Sequence, residues 1–328
     1  MRVLITGGAG FIGSHLAEAF LTRGDEVYII DDLSTGSLDN LIPLKRLPGA
    51  ENRLFVQIDT ILNPNTLLEL TGICDVVFHL AAAVGVRYIL QNPLASIRTN
   101  IQGTEKVLEL CAKFKKKILI ASTSEVYGKH LHAPLRESDN VIYGPSSKFR
   151  WSYAASKLMD EFTALAYHRT VGLPVTITRL FNTVGPRQTG AYGMVIPRFV
   201  TQALRNEPLT VYGDGQQTRT FTYVKDVIWA LMELMEHDRC IGEVFNVGGV
   251  EEISILALAE RIVRLTQSKS HIQLIPYEEA FEKDFEDMHR RVPSLDKIQE
   301  AIGFQPTTDL EQILEHVVEH IQGESESS

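Results

Sequence analysis

Residues 2–31 read "RVLITGGAGFIGSHLAEAFLTRGDEVYIID". An apolar run, "RVLIT" (2–6), meets Gly7, Gly10 and Gly13, then an amphipathic stretch, then a second apolar run that closes on Asp31 and Asp32. Short apolar runs without polar alternation read as strands buried on both faces. Glycines at a strand-to-helix turn permit the tight turn and let the backbone approach a pyrophosphate at the helix N-terminus. Asp31 stands 18 residues past Gly13. A carboxylate there accepts hydrogen bonds from the adenosine ribose, and its charge repels a 2′-phosphate. The stretch therefore predicts a dinucleotide site for NAD rather than NADP, with Asp31 on the ribose and Asp32 beside it.

The same rhythm continues with "RLFVQID" (53–59), "DVVFHLA" (75–81), "KILIAS" (117–122) and "PVTITRL" (174–180), separated by helical stretches. Alternation of this kind implies right-handed βαβ units and a parallel sheet. The fold class is α/β, a Rossmann-type doubly wound parallel sheet with a smaller C-terminal α/β unit. The expected division is 1–180 for NAD binding, 181–322 mainly for substrate, with elements free to cross back, and a disordered tail at 323–328. Short elements at "PLTVYG" (208–213), "EVFNVGG" (243–249) and "IQLIPY" (272–277), and helices near 254–266, 294–302 and 309–322, make up the second unit. Helices at 96–114 and 152–169 are apolar on more than one side, through Ile97, Ile101, Leu110 and Phe114 in the first and Met159, Phe162 and Leu165 in the second. A helix covering a sheet needs one stripe, so the second stripe points to another surface, and a homodimer is expected.

A formal charge of −9 argues against a nucleic-acid partner, which demands a basic face. Three scattered cysteines, Cys74, Cys111 and Cys240, give neither a disulfide framework nor a metal spacing, so no metal and a cytoplasmic setting are expected. No apolar run reaches the roughly 18 residues of a membrane helix, so no membrane partner is expected.

"SYAASK" (152–157) sets Tyr153 and Lys157 one turn apart on one helical face. Alone the pair reads equally as a helix surface. Together with the glycine spacing G-x-x-G-x-x-G it resembles the short-chain dehydrogenase/reductase superfamily, in its extended branch of NAD-dependent sugar-nucleotide epimerases and dehydratases. "DVVFHLAA", "TNIQGT" (99–104), "ASTSEVYG" (121–128), "RLFNTVGPRQ" (179–188), "PLTVYGDGQQTRTFTYVKD" (208–226) and "HRRVPS" (289–294) extend the resemblance over nearly the whole chain. It implies that Tyr153 takes the proton of the sugar 4-hydroxyl, that Lys157 favours the phenolate and holds the nicotinamide ribose, and that Thr123 orients the hydroxyl. It places Phe11, Ile12, Asp59, Leu80, Ala81, Ala82 and Asn100 with the glycines on the cofactor, Asn100 being an anchor. It places Ser124, Arg150, Asn182, Val211, Tyr212 and Arg219 on a UDP-sugar. Arg187 reads equally as substrate ligand or structural arginine.

Oxidation at C4 opens three routes: epimerisation, decarboxylation of a uronate, or 4,6-dehydration. "TSEVYG", with Glu125, and "KFRWSYAASK" (148–157) resemble UDP-glucuronate decarboxylases, as does "DFEDMHRRVPS" (284–294), whose Arg291 matches an arginine for the sugar carboxylate. On an extended segment Thr123 and Glu125 face the same way. The leading expectation is decarboxylation of UDP-glucuronate. A UDP-sugar 4-epimerase comes second, ahead of a 4,6-dehydratase and a non-catalytic NAD-binding protein.

Overall fold

The computed structural model describes residues 1–130, 132–190, 194–280 and 288–327. Residues 284–287 of the expected carboxylate segment and Ser328 of the expected tail lie outside them. The chain begins β1 (Arg2–Thr6), α1 (Phe11–Arg23), β2 (Glu26–Asp31), α2 (Ile42–Lys45), β3 (Leu54–Ile58), α3 (Pro64–Ile73) and β4 (Val76–His79). It continues with α4 (Val86–Gln91), α5 (Pro93–Phe114), β5 (Lys117–Thr123), α6 (Arg150–Val171) and β6 (Val175–Leu180). Shorter elements follow: β7 (Thr183–Val184), α7 (Val195–Leu204), β8 (Leu209–Tyr212), β9 (Thr218–Thr220), β10 (Thr222–Tyr223), α8 (Val224–Glu236) and β11 (Val244–Val247). The last are β12 (Glu252–Ser254), α9 (Ile255–Leu265), β13 (Ile272–Ile275), α10 (Tyr277–Ala280), β14 (Arg290–Arg291), α11 (Asp296–Ile302) and α12 (Leu310–Ser327).

Seven strands pair in parallel in the order β11-β6-β5-β4-β1-β2-β3. The apolar runs supply both faces of this sheet. Val3 and Ile5 pack with Phe20 of α1 and Leu231 of α8, whereas Leu4, between them, packs with Leu67 of α3 and Val107 of α5. Six of the strands are those read from the sequence. The seventh, β11, returns from the C-terminal third, where "EVFNVGG" gave no sign of which sheet it would join. The strand order reverses between β1 and β4, and ligands of open α/β sheets bind at such a switch point, past the strands' carboxyl ends. β9 pairs with both β12 and β14 above that edge.

α12 runs on through Ser327, where a disordered tail was expected; its glutamates suit a helix as well as a coil. Met159 and Phe162 of α6 are 50% and 61% exposed, whereas Ile97, Ile101, Leu110 and Phe114 of α5 and Leu165 of α6 are half-buried. Among the described residues no helix is long and apolar enough to cross a membrane.

A buried ion pair ties the central layers together. Glu161 of α6 receives Nε and Nη2 of Arg179 of β6 at 3.0 and 2.8 Å, and the Ser122 hydroxyl of β5. The Arg179 guanidinium lies 4.7 Å from the Tyr127 ring centroid. Glu161→Ala strands that guanidinium, so it is expected to cost about 3–5 kcal/mol, read as a lower urea midpoint at unchanged slope. Replacing both partners, Glu161→Leu with Arg179→Met, should recover most of the loss.

Candidate active site

The turn between β1 and α1 is built so tightly that side chains are excluded. Gly7 has φ +73°, and a Cβ on it would lie 2.8 Å from the Ala81 nitrogen; a Cβ on Gly13 would lie 2.2 Å from the Gly7 carbonyl oxygen. Gly10 caps α1 in an extended conformation, and the helix's first turn holds no acidic residue. What faces outward is backbone N–H at a positive helix end, the surface that suits a pyrophosphate. Asp31 accepts from the Ala9 and Leu33 nitrogens at 2.9 and 2.8 Å. Its burial raises the carboxyl above its usual range, opposed by those backbone bonds. Asp31 thus shapes the glycine turn while lining the cavity beside Asp32. These features fit a dinucleotide such as NAD.

One cavity of about 570 Å³ starts at this turn, where Phe11, Ile12 and Asp59 line it, and passes Leu80, Ala81 and Ala82 beyond β4. Asn100 is not on its surface. It is buried behind the wall, accepting from the Ala83 nitrogen at 2.8 Å and donating to Ser156 Oγ at 3.1 Å. Asn100 therefore anchors the 80–83 segment to α6 and does not touch the cavity, a correction to its place among cofactor ligands.

β5 delivers Thr123 to the cavity and α6 delivers Arg150, Tyr153 and Lys157. Beyond Thr123 the chain is not extended, as expected, but forms a 3₁₀ turn over Ser124–Tyr127, with Thr123 Oγ1 accepting from the Glu125 nitrogen at 3.3 Å. Ser124 and Glu125 still line the cavity, because the turn carries them around its wall. The Glu125 carboxylate is flanked by two guanidinium groups, Arg150 at 3.2 Å and Arg291 of β14 at 3.7 Å. Tyr153 lines the cavity and is half-buried. Burial raises the phenol well above its usual range, as do the Glu125 and Asp160 carboxylates, while a Thr123 hydrogen bond and Arg291 oppose them. The Lys157 ammonium, on the same face of α6, donates to Asp160 at 2.8 Å.

Asn182, Tyr212, Arg219 and Arg291 line the far end. Asn182 donates to the Thr220 carbonyl at 2.8 Å, and Arg219 to the Thr218 carbonyl at 2.8 Å. Strand pairing sets Arg291 directly beside Arg219. Val211, expected to meet the base through the backbone of "LTVYG", has its side chain wholly buried in the core, because β8 alternates and its neighbour Tyr212 takes the cavity face. Arg187 is outside the cavity wall, bonded to Glu18 at 2.6 Å, with its backbone nitrogen on His320 at 2.9 Å. Its φ of +67° turns the side chain back toward α1, so it is the structural arginine of the two readings. The sequence reading missed Gln188, Thr189, Arg198, Gln217 and Tyr277, which also line the cavity. Gln188 and Gln217 lie inside the quoted segments 179–188 and 208–226 and Thr189 directly follows the first, whereas Arg198 of α7 and Tyr277 carry no pattern of their own. Among the described residues no group of three His, Cys, Asp or Glu side chains is placed to hold a metal.

The profile of the GDP-mannose 4,6 dehydratase family matches residues 4–317. The UDP-N-acetyl-alpha-D-glucosaminuronate decarboxylase of Bacillus cytotoxicus is 44% identical over 319 residues, covering 97% of each chain. UDP-glucuronic acid decarboxylase 1 of Arabidopsis thaliana is 37% identical, over 97% of this chain and 69% of that one. Among solved structures, the UDP-glucuronic acid 4-epimerase of Bacillus cereus, in complex with UDP-glucuronic acid and NAD, superposes with a TM-score of 0.87 at 31% identity, over 98% of this chain and 99% of that one.

Gly7→Ala tests the glycine turn. The left-handed conformation costs a side-chain-bearing residue about 1–2 kcal/mol, and the clash with Ala81 adds to it. NAD affinity measured by calorimetry is expected to fall about tenfold or more; unchanged affinity would place the cofactor elsewhere.

Proposed function

We propose that this chain, which belongs to the GDP-mannose 4,6 dehydratase family, is an NAD-dependent decarboxylase of a UDP-hexuronate, UDP-glucuronate or its 2-acetamido counterpart. The observation that carries the reading is Glu125 between Arg150 and Arg291, at the cavity wall that also holds Thr123 and Tyr153. Arg150 and Arg291 stand together on the cavity wall, where the carboxylate of a bound uronate would meet guanidinium groups. The decarboxylase relatives support it.

In this reading Tyr153 accepts the proton of the sugar 4-hydroxyl, steadied by Thr123. When bound, NAD supplies the hydride acceptor for C4 and gives the hydride back at the end. The resulting 4-ketone lies β to the C6 carboxylate. Arg291 and Arg150 hold that carboxylate by charge-assisted bonds until the C5–C6 bond breaks, carbon dioxide leaves, and the electron pair passes into the C4–C5 enolate. Glu125 handles the proton that closes C5. The proton on Tyr153 returns to O4 as the alcohol re-forms. Asn182 and Arg219 serve the diphosphate, Tyr212 the base, and residues 181–322 are mainly the substrate unit. The Bacillus cereus neighbour, a 4-epimerase of UDP-glucuronic acid, favours a second reading, inversion at C4 without loss of carbon dioxide. We also place the protein in the cytoplasm as a homodimer, joined through the second apolar stripe of α5 and α6, since such a stripe in water is an aggregation hazard.

The direct test incubates the protein with UDP-glucuronate, or its 2-acetamido form, and catalytic NAD. Carbon dioxide and a UDP-pentose by NMR, without accumulating NADH, are expected; clean C4 inversion would establish the epimerase. Arg291→Ala should weaken the uronate by about 10–100-fold, the value of a charged hydrogen bond at about 1.5–3 kcal/mol, and UDP-glucose far less. For the assembly, light scattering should give twice the chain mass, and Phe162→Glu should halve it; a monomeric wild type would remove the dimer.

A further inference from the structure

Lys157 and Asp160 form an ion pair at 2.8 Å in which both side chains are only 2% exposed. A surface pair at this spacing contributes a few tenths of a kcal/mol to a helix, whereas burying two charges carries a desolvation cost. Helix stability therefore does not explain the pair.

The Thr104 side chain of α5 faces Asp160 from its other side. Thr104 Oγ1 lies 2.9 Å from Nε2 of His79, whose Nδ1 lies 2.8 Å from Thr6 Oγ1. Thr6 Oγ1 accepts from the Ala81 nitrogen at 3.2 Å. Burial pushes His79 down to about 3, with Lys157 adding to the effect, so the ring is neutral, one nitrogen donating and the other accepting. Lys157 donates to the Asp160 carboxylate at 2.8 Å. These contacts begin at Ala81, against which Gly7 of the glycine turn packs.

We propose that Asp160 is a positioning residue that holds the Lys157 ammonium and offsets its charge, so that Tyr153 becomes a base only when the oxidised cofactor adds its own positive charge. The proposal rests on the reading of Tyr153 as the base. The groups facing Tyr153 are Thr123 and Glu125 from the end of β5, Arg291 from β14, and Lys157 and Asp160 from its own helix. Those facing Asp160 are Lys157 and Glu161 of α6 and Thr104 of α5, with neutral His79 of β4 behind Thr104. The phenol is held above its usual range by burial and by the Glu125 and Asp160 carboxylates.

The sign is fixed. Tyr153 works deprotonated, so turnover rises with pH through its pKa. Removing a negative neighbour favours the phenolate and carries that limb to lower pH. The test uses NAD-bound protein and two readouts: the acid limb of kcat with UDP-glucuronate, and the phenolate absorbance of Tyr153, taken as the difference from Tyr153→Phe. In Asp160→Asn both midpoints should fall by about one pH unit or more, and in Asp160→Glu, which restores the charge, they should return toward wild type. Asp160→Ser serves where the Asn variant does not fold. Midpoints that stay put or rise in a folded variant, with only the amount of activity reduced, overturn the proposal and leave the base assignment standing. A wild-type titration with no Tyr153 component would instead sink the base assignment and this proposal with it.

Discussion

No atom beyond hydrogen fits on Gly13 where it faces the Gly7 carbonyl, and that exclusion sets the geometry of everything above the sheet. With a Cβ there, 2.2 Å from that oxygen, α1 would have to lift from the turn. The helix N-terminus would leave the point between β1 and β4 where the strand order reverses. Gly7 presses in turn on Ala81, and Asp31 on Ala9 and Leu33. The turn, the end of β2 and the segment after β4 are therefore one packed unit, whose outward surface is backbone N–H at a helix end.

A second layer of constraint lies beneath the chemistry. Ser122, next to Thr123, bonds Glu161, and Glu161 holds Arg179. Arg179 reaches the Glu137 carbonyl, while Glu137 accepts from the Asn246 nitrogen of β11. Tyr127 donates to the Asn246 side chain at 2.7 Å, and that side chain donates to the Leu135 carbonyl at 2.9 Å. Buried polar groups satisfied in this manner fix one arrangement, since loss of any member leaves a desolvated partner unpaired. Thr123 and Tyr153 are thus carried on rigid strand and helix, and the loops that line the far end close over them.

The sheet was legible because its strands obey a strong local rule, apolar runs with glycine and helix between them, and both faces buried. Tyr153, Lys157 and the glycines were legible for the same reason: spacing on one element determines their common face. The directions of Val211, Arg187 and Asn100 are decided by other elements: the pleat of β8 against β13, a left-handed backbone locked by α1 and α12, and the turn after β4; the sequence therefore leaves Arg187 open between two readings and shows Asn100 as an anchor without showing that it stands behind the cavity wall. The 3₁₀ turn after Thr123 was missed because a threonine cap competes with continued strand only when the sheet ends there, which no local pattern marks. Asp160 carries no pattern of its own, because its bond with Lys157 looks like any surface pair until burial is known.

The pairing of β14 with β9 bears on what the cavity is for. Register sets Arg291 beside Arg219, with the two residues 8% and 7% exposed. Like charges directly opposite on neighbouring strands are unfavourable, and burial removes the water that would screen them. Glu125 lies 3.7 Å from Arg291 and 3.2 Å from Arg150, so three guanidinium groups and a carboxylate gather on one stretch of the cavity wall. Under the proposed reading, a nucleoside diphosphate whose sugar bears a carboxylate would bring negative charge at both ends, and the diphosphate and the uronate would each meet a guanidinium group of this cluster.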